Sequence, residues 1–162
     1  MDAKRHGWFV AALSLGLTLA LAVVPLPDAL AALRPDWVAV VLLYWSLMAQ
    51  RRFSLLTAFW MGIALDTLSG ALLGQNALAL LVIVYLAEKF HLRLRVFPVS
   101  QLALTVLFLL GLYEFILFWI DGVAGRTVPL VERWLPPLTG TLVWLAMLVV
   151  LDRGRREARA RF

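Results

Sequence analysis

Polar residues in this chain arrive in short breaks between long apolar runs. The runs cover 8–24, 37–49, 53–68, 76–87, 99–120 and 134–151. They are continuous rather than alternating, which argues for helices and against a membrane-spanning β-barrel. With their flanks they predict six helices at about 8–25, 36–50, 53–69, 75–89, 98–120 and 132–151, followed by a basic tail at 152–162. A helix needs about 20 residues to cross a ~30 Å hydrocarbon core. The second, third and fourth runs are shorter than that, so they call for a thinned bilayer, snorkelling ends or burial among neighbours. The competing reading joins 53–87 into one long span or a re-entrant pair.

Composition strengthens the membrane reading. The chain has 162 residues, one domain by length, of which 63% are hydrophobic and 15% charged, with a mean hydropathy of +0.89. Soluble domains run nearer 45–50% apolar and about 25% charged. A soluble fold of this size cannot hide so much apolar surface, so lipid is its natural solvent.

Charge then selects among topologies. With the N-terminus in the cytoplasm and six crossings, twelve of the fifteen cations fall inside: Lys4, Arg5, Arg51, Arg52, Lys89, Arg93, Arg95, Arg153, Arg155, Arg156, Arg159 and Arg161. Arg34, Arg126 and Arg133 fall outside. Fusing the third and fourth spans moves the 89–95 cluster outside and spoils the partition. The positive-inside rule therefore predicts six membrane-spanning helices with both termini cytoplasmic. The net charge of +5 is explained by orientation, not by nucleic acid. Trp8 at the inner boundary and Trp37, Trp119 and Trp134 at the outer one fit an interfacial belt. Trp45, Trp60 and Trp144 lie deeper and read as packing residues. An N-terminal basic pair, an apolar run and Ala29-x-Ala31 resemble a secretory signal, but the run is long for one, and a retained first helix is the preferred reading.

The stretch 66–78, "DTLSGALLGQNAL", concentrates the polar residues. In the predicted topology it forms the outer turn of a helical hairpin. Asp66 lies 13 residues past Phe53, about 20 Å along a helix. Ser69 and Gly70 suit a helix end, and Gln75 and Asn76 suit the start of the next. A second reading adds a contact surface: Gly62, Gly70 and Gly74 are small enough to admit a close helix, and Gly70-x-x-x-Gly74 matches a packing motif. Glu114, on the fifth span, reaches a similar level. It either pairs with Arg34, Arg126 or Arg133, or it snorkels. Catalysis is not indicated: no His lies near either acid in sequence, and no nucleophile elbow or phosphate loop is present. The absence of Cys excludes disulfides and thiolate metal sites, and His6 and His91 sit among basic clusters rather than at metal-ligand spacing. Neither a metal nor a cofactor is predicted.

Three segments carry a resemblance: "RPDWVAVVLLYWSL" (34–47), "DTLSGALLGQNAL" (66–78) and "FWIDGVAGR" (118–126). Together they resemble the MreD family of rod-shape-determining proteins. The most specific combination is Arg34-Pro35-Asp36 opening the second span, with Asp66, Ser69, Gly70 and Gly74 closing the third. The resemblance implies an all-α integral membrane protein of six transmembrane helices, similar in fold to the substrate-binding subunits of energy-coupling-factor transporters. It implies a non-enzymatic scaffold of the cell-elongation complex that binds the bitopic protein MreC, supporting rod shape and lateral peptidoglycan synthesis. Through the complex it implies links to MreB, to RodA and to the transpeptidase partner of RodA. Arg34, Pro35, Asp36, Gly62, Asp66, Ser69, Gly70, Gly74, Gln75, Asn76, Glu114 and Asp121 are then the expected structural or partner-contact residues. The alternative is a vitamin-binding subunit of the energy-coupling-factor type, with an outward pocket lined by Asp66, Gln75, Asn76, Tyr113 and Glu114.

At the other face, 88–98 alternates charge with Phe and Leu. Lys89, Arg93 and Arg95, with Arg153, Arg155, Arg156, Arg159 and Arg161 of the tail, are predicted to lie against anionic lipid, each contributing about 1 kcal/mol. Pro25, Pro27 and Pro35 mark the first outer loop as partly non-helical. Pro129, Pro136 and Pro137 are expected to do the same before the sixth span.

Overall fold

The computed structural model of the chain describes the backbone of residues 2–24, 33–48, 55–94, 97–126 and 130–160, and side chains within 12–150. Among these residues there are six helices and no strand. They are α1 (Asp2–Val23), α2 (Trp37–Met48), α3 (Leu55–Ser69), α4 (Gln75–Leu94), α5 (Val99–Val123) and α6 (Leu130–Ala160). The third and fourth runs are separate helices that pack as a hairpin. They are not one long span.

Helix α2 is the axis of the bundle. Its sequence is apolar all round, and such a helix belongs in a core. Residues Val38–Tyr44 are all buried, with Val40 and Leu43 fully so. It packs against α1, α4, α5 and α6, while α3 lies against α1 and α4. Its twelve residues are too few to cross a bilayer alone, but a helix enclosed by neighbours need not match the lipid. Trp45 Nε1 donates to Ser14 Oγ at 3.0 Å, tying α2 to α1. Trp144 of α6 is fully buried, whereas Trp60 on α3 is 63% exposed. Trp60 is thus not the internal packing residue its depth in the sequence suggests.

The surface is inverted relative to a water-soluble protein. Leu17, Leu56, Leu104, Phe108 and Leu142 are exposed, while Asp66, Glu114, Asp121 and Arg133 are buried. Hydrocarbon surroundings favour that arrangement and water does not. Among the described residues, two segments, Val99–Val123 and Arg133–Val150, are long and apolar enough to cross a membrane unaided; Ala12–Ala22, Trp37–Leu47 and Leu55–Ser69 are apolar but shorter. The prolines of α6 correct one expectation. Pro136 and Pro137 lie inside the helix rather than before it. Threonine hydroxyls work beside them, Thr139 donating to the Pro136 carbonyl at 3.1 Å and Thr141 to that of Pro137 at 2.7 Å.

Close approach of α3 and α4 depends on Gly62. A Cβ built there lies 2.2 Å from the Ala77 Cα and 2.5 Å from its nitrogen. The small residue therefore serves a contact within this chain, not one with another protein. Gly62→Ala is expected to cost about 2 kcal/mol, read as a lowered thermal midpoint of the detergent-solubilised protein. Because the collision is with backbone, Ala77→Gly will not rescue it. Gly140 plays the same part on α6, where a Cβ meets Leu110 Cδ1 at 2.9 Å and Val40 Cγ2 at 3.1 Å.

Candidate functional site

The polar residues converge at one end of the bundle. The chain reverses from α3 to α4 over five residues, and this turn organises the site. Gly70 takes a left-handed φ of 64°, so the Ala71 N–H reaches back to the Asp66 carbonyl at 3.1 Å. That bond and the glycine are the pattern of a Schellman helix end. Ser69 Oγ donates to the Leu65 carbonyl at 2.6 Å. Gly74, at φ 93°, opens α4, its carbonyl accepting from the Leu78 N–H at 2.8 Å.

Glycine has no side chain with which to cap a helix, and Asp66 supplies the missing acceptor from the preceding helix. Asp66 Oδ2 accepts from the Gly74 N–H at 2.8 Å. Its Oδ1 accepts from the Asn76 N–H at 2.9 Å and from Asn76 Nδ2 at 2.8 Å. The negative charge lies at the positive end of α4, where the helix dipole favours it. Gln75 and Asn76 do not cap their own helix, as their positions suggest; their side chains reach elsewhere. Asn76 Oδ1 accepts from the Tyr113 hydroxyl at 2.5 Å. Gln75 Nε2 donates to Asp121 Oδ1 at 2.8 Å.

Asp121 also receives the Arg133 guanidinium on Oδ2, joining α5 to α6. Arg133 Nε stands 3.9 Å from Glu114 Oε2. Both acids and the arginine are more than nine-tenths buried, so Glu114 does not snorkel outward. Of its candidate partners, Arg133 is the one that reaches it; Arg126 is exposed. The carboxyls of Glu114 and Asp36 lie within hydrogen-bonding reach of each other. Arg34 donates to the Leu21 carbonyl in the last turn of α1, where a cation suits the negative end of the helix. A continuous polar strap thus links the ends of α2 through α6, and Arg34 ties in α1.

The geometry revises the expected contact motif. Gly70 and Gly74 have positive φ, and a Cβ at either meets no atom within 4 Å. They are glycines because the backbone is left-handed there, not because a helix packs on them. Gly70→Ala is expected to cost about 1–2 kcal/mol through strain, visible as a small drop in thermal midpoint. A substitution there therefore tests the turn and not a partner surface.

A cavity of about 310 Å³ adjoins the strap, with walls from all six helices. Asn76 and Tyr113 line it, but Asp66, Gln75 and Glu114 do not. Two of the five residues expected of a vitamin-binding pocket thus border it. All five of these residues take part in strapping the helices together. Lys89 is exposed and its Nζ lies 5.7 Å from the Tyr85 ring centroid. The side chains of Arg93, Arg95, Arg153, Arg155, Arg156, Arg159 and Arg161 lie outside the described residues. Among the described residues, no cluster of three or more His, Cys, Asp or Glu is arranged to hold a metal.

An all-helical bundle with apolar flanks, and with its ion pairs and amide bridges turned inward, is a membrane-associated protein. Comparison with known families is specific about which. The model of the family "rod shape-determining protein MreD" matches residues 3–152, and the chain belongs to that family. It is 24% identical over 152 residues to the rod shape-determining protein MreD of Haemophilus influenzae (strain ATCC 51907 / DSM 11121 / KW20 / Rd), covering 94% of both chains. No solved structure matches, so the expected likeness to energy-coupling-factor subunits has no support. The family is defined by a role in cell shape, not by a catalysed reaction.

Proposed function

We propose that this protein is a non-enzymatic scaffold of the bacterial cell-elongation complex. Six helices cross the inner membrane with both termini in the cytoplasm, and the polar strap lies at the outer face. The lateral surface receives the single span of MreC, and through it the protein joins MreB, RodA and the transpeptidase partner of RodA. Lys89 and the basic C-terminal segment rest on anionic lipid.

The observation that carries this reading is the inversion of the bundle. Asp66, Gln75, Asn76, Asp121 and Arg133 bond inward to one another, while large apolar side chains lie on the exterior. Two membrane helices associate through shape and close packing, since apolar burial drives little association within lipid. The described surface offers such shape beside the α3–α4 turn. There Leu72, Trp119, Ile120, Val123 and Ala124 border an open apolar cleft of about 360 Å³.

The chain has no cysteine, so single thiols can be introduced without interference. Trp119→Cys and Val123→Cys are expected to cross-link to a cysteine near the outer end of the MreC span. Leu104→Cys, exposed on the same helix but about four to five turns away, is not. Equal cross-linking at all three sites, or none at any, contradicts this surface. Loss of co-purification with MreC on replacing both Trp119 and Val123 by Ser, with unchanged thermal stability, is the second expected result.

A further inference from the structure

The acids of the strap outnumber the cations beside them. Asp66 is satisfied by three N–H donors of the α3–α4 turn, and Asp121 by Arg133 and Gln75. Asp36 and Glu114 remain, and their side chains bond to each other. Asp36 stands immediately before α2, and its carbonyl accepts the first bond of that helix from the Val40 N–H at 2.9 Å. In that position an aspartate ordinarily caps the helix with its side chain. Here the carboxyl is committed to α5 instead. Its Oδ2 is shut off from water and receives no amide, hydroxyl or guanidinium donor. Glu114 is buried too, and Arg133 Nε at 3.9 Å is too far for a hydrogen bond.

Two ionised carboxylates cannot make the bond that this contact requires. Each is an acceptor without a hydrogen, and their like charges repel. A proton on one of them supplies the missing donor, and an O–H bonded to a carboxylate is among the stronger hydrogen bonds. Charge balance points the same way. Fully ionised, Asp36, Glu114 and Asp121 set three negative charges against Arg34 and Arg133, the cations that act on Asp36. One proton makes the count two against two. The other elements facing the pair leave that count unchanged. The Asp66 carboxylate is turned to the start of α4, Gln75 and Asn76 are uncharged, Tyr113 donates to Asn76, and α1 presents the Leu21 carbonyl that holds Arg34.

We infer that Asp36 and Glu114 share one proton, and that this proton fastens the start of α2 to α5. It complements Arg133, which fastens α5 to α6. Withdrawing it leaves two like charges where there was a bond. Unfolding also releases it, because exposed carboxyls ionise near pH ~4. Raising the pH therefore favours the unfolded chain and loosens the junction of α2 with α5.

The test uses the full chain in detergent. Infrared spectra in ordinary and heavy water at about pH 7 report protonated carboxyls, whose C=O stretch shifts on deuteration. One such band is expected in the unaltered protein, and its loss is expected in both Asp36→Asn and Glu114→Gln. Each amide donates an N–H to the carboxylate that remains, so both variants are expected to fold. The thermal midpoint supplies a second reading. From about pH 6 to about pH 9, that of the unaltered protein is expected to fall by about 5 °C more than that of Glu114→Gln. Absence of the band from the unaltered protein overturns the inference whatever the variants do. A band that survives Asp36→Asn overturns it as well, because the proton then belongs to Glu114 alone, as does one that survives Glu114→Gln. Equal falls in midpoint for the two proteins also contradict it. Should neither single variant fold, the double variant, whose two amides can bond to each other, takes their place in both readings.

Discussion

Asp66→Ala is expected to destabilise the protein by about 4 kcal/mol, more than any other single truncation in the turn. Each buried donor left without a partner costs about 1–3 kcal/mol, and Asp66 serves three: the Gly74 N–H, the Asn76 N–H and the Asn76 amide. Removing the carboxylate also takes a negative charge from the start of α4. Asn76 then loses the group that orients it toward Tyr113, so the damage spreads from the α3–α4 hairpin to α5. Asp66→Asn retains one oxygen but presents an amide to a backbone donor, and about half the loss is expected. Thermal unfolding of the solubilised variants measures both. A midpoint for Asp66→Ala within a degree or two of the parent shows that the turn does not depend on this carboxylate.

Arg133→Met is expected to cost about 3–5 kcal/mol for a different reason. Its guanidinium serves two buried acids, Asp121 directly and Glu114 at 3.9 Å. Removing one member of a buried ionic group leaves uncompensated charge, whereas replacing the whole group by uncharged residues is often neutral. The two cases are separable. Arg133→Met combined with Asp121→Asn and Glu114→Gln is expected to recover at least half of the loss. Equal or greater loss in the triple variant contradicts the assignment of Arg133 as counter-charge. Because the three residues act together, their separate effects will not add.

The hydrophobic pattern made the helices legible, and charge asymmetry was needed to split α3 from α4. The ends were less legible. Helix α1 begins at Asp2 and α4 runs on to Leu94, because Lys, Arg, Glu and His are good or tolerable helix residues even where they end an apolar run. Likewise α6 continues to Ala160 through a segment read as a tail. At the site, the residue types were apparent but most of their pairings were not. Asp66 and Glu114 stand out as acids within apolar runs. Their use depends on Asn76, Tyr113 and Arg133, which are brought near by packing. Tyr113 is expected from sequence in the wall of a pocket, not as a donor to Asn76. Arg133 is one of three outer cations expected near Glu114, and its spacing of twelve residues from Asp121 was a usable signal for the second pairing, since a short connection between antiparallel helices brings such a pair together. The glycines show the opposite hazard. Gly70 and Gly74 have contact-motif spacing but serve backbone conformation, while Gly62 and Gly140, neither part of a Gly-x-x-x-Gly pair, carry the tight helix contacts.

The account rests on the strap and the basic clusters lying on opposite faces of one membrane. Single cysteines at Leu73 and Lys89, both exposed, test this directly with a membrane-impermeant maleimide on intact spheroplasts. Leu73→Cys is expected to be labelled at once and Lys89→Cys to be labelled after permeabilisation alone. Labelling of Lys89→Cys in sealed cells, with Leu73→Cys protected, would reverse the orientation, and labelling of both on the same face would contradict the crossing of α4.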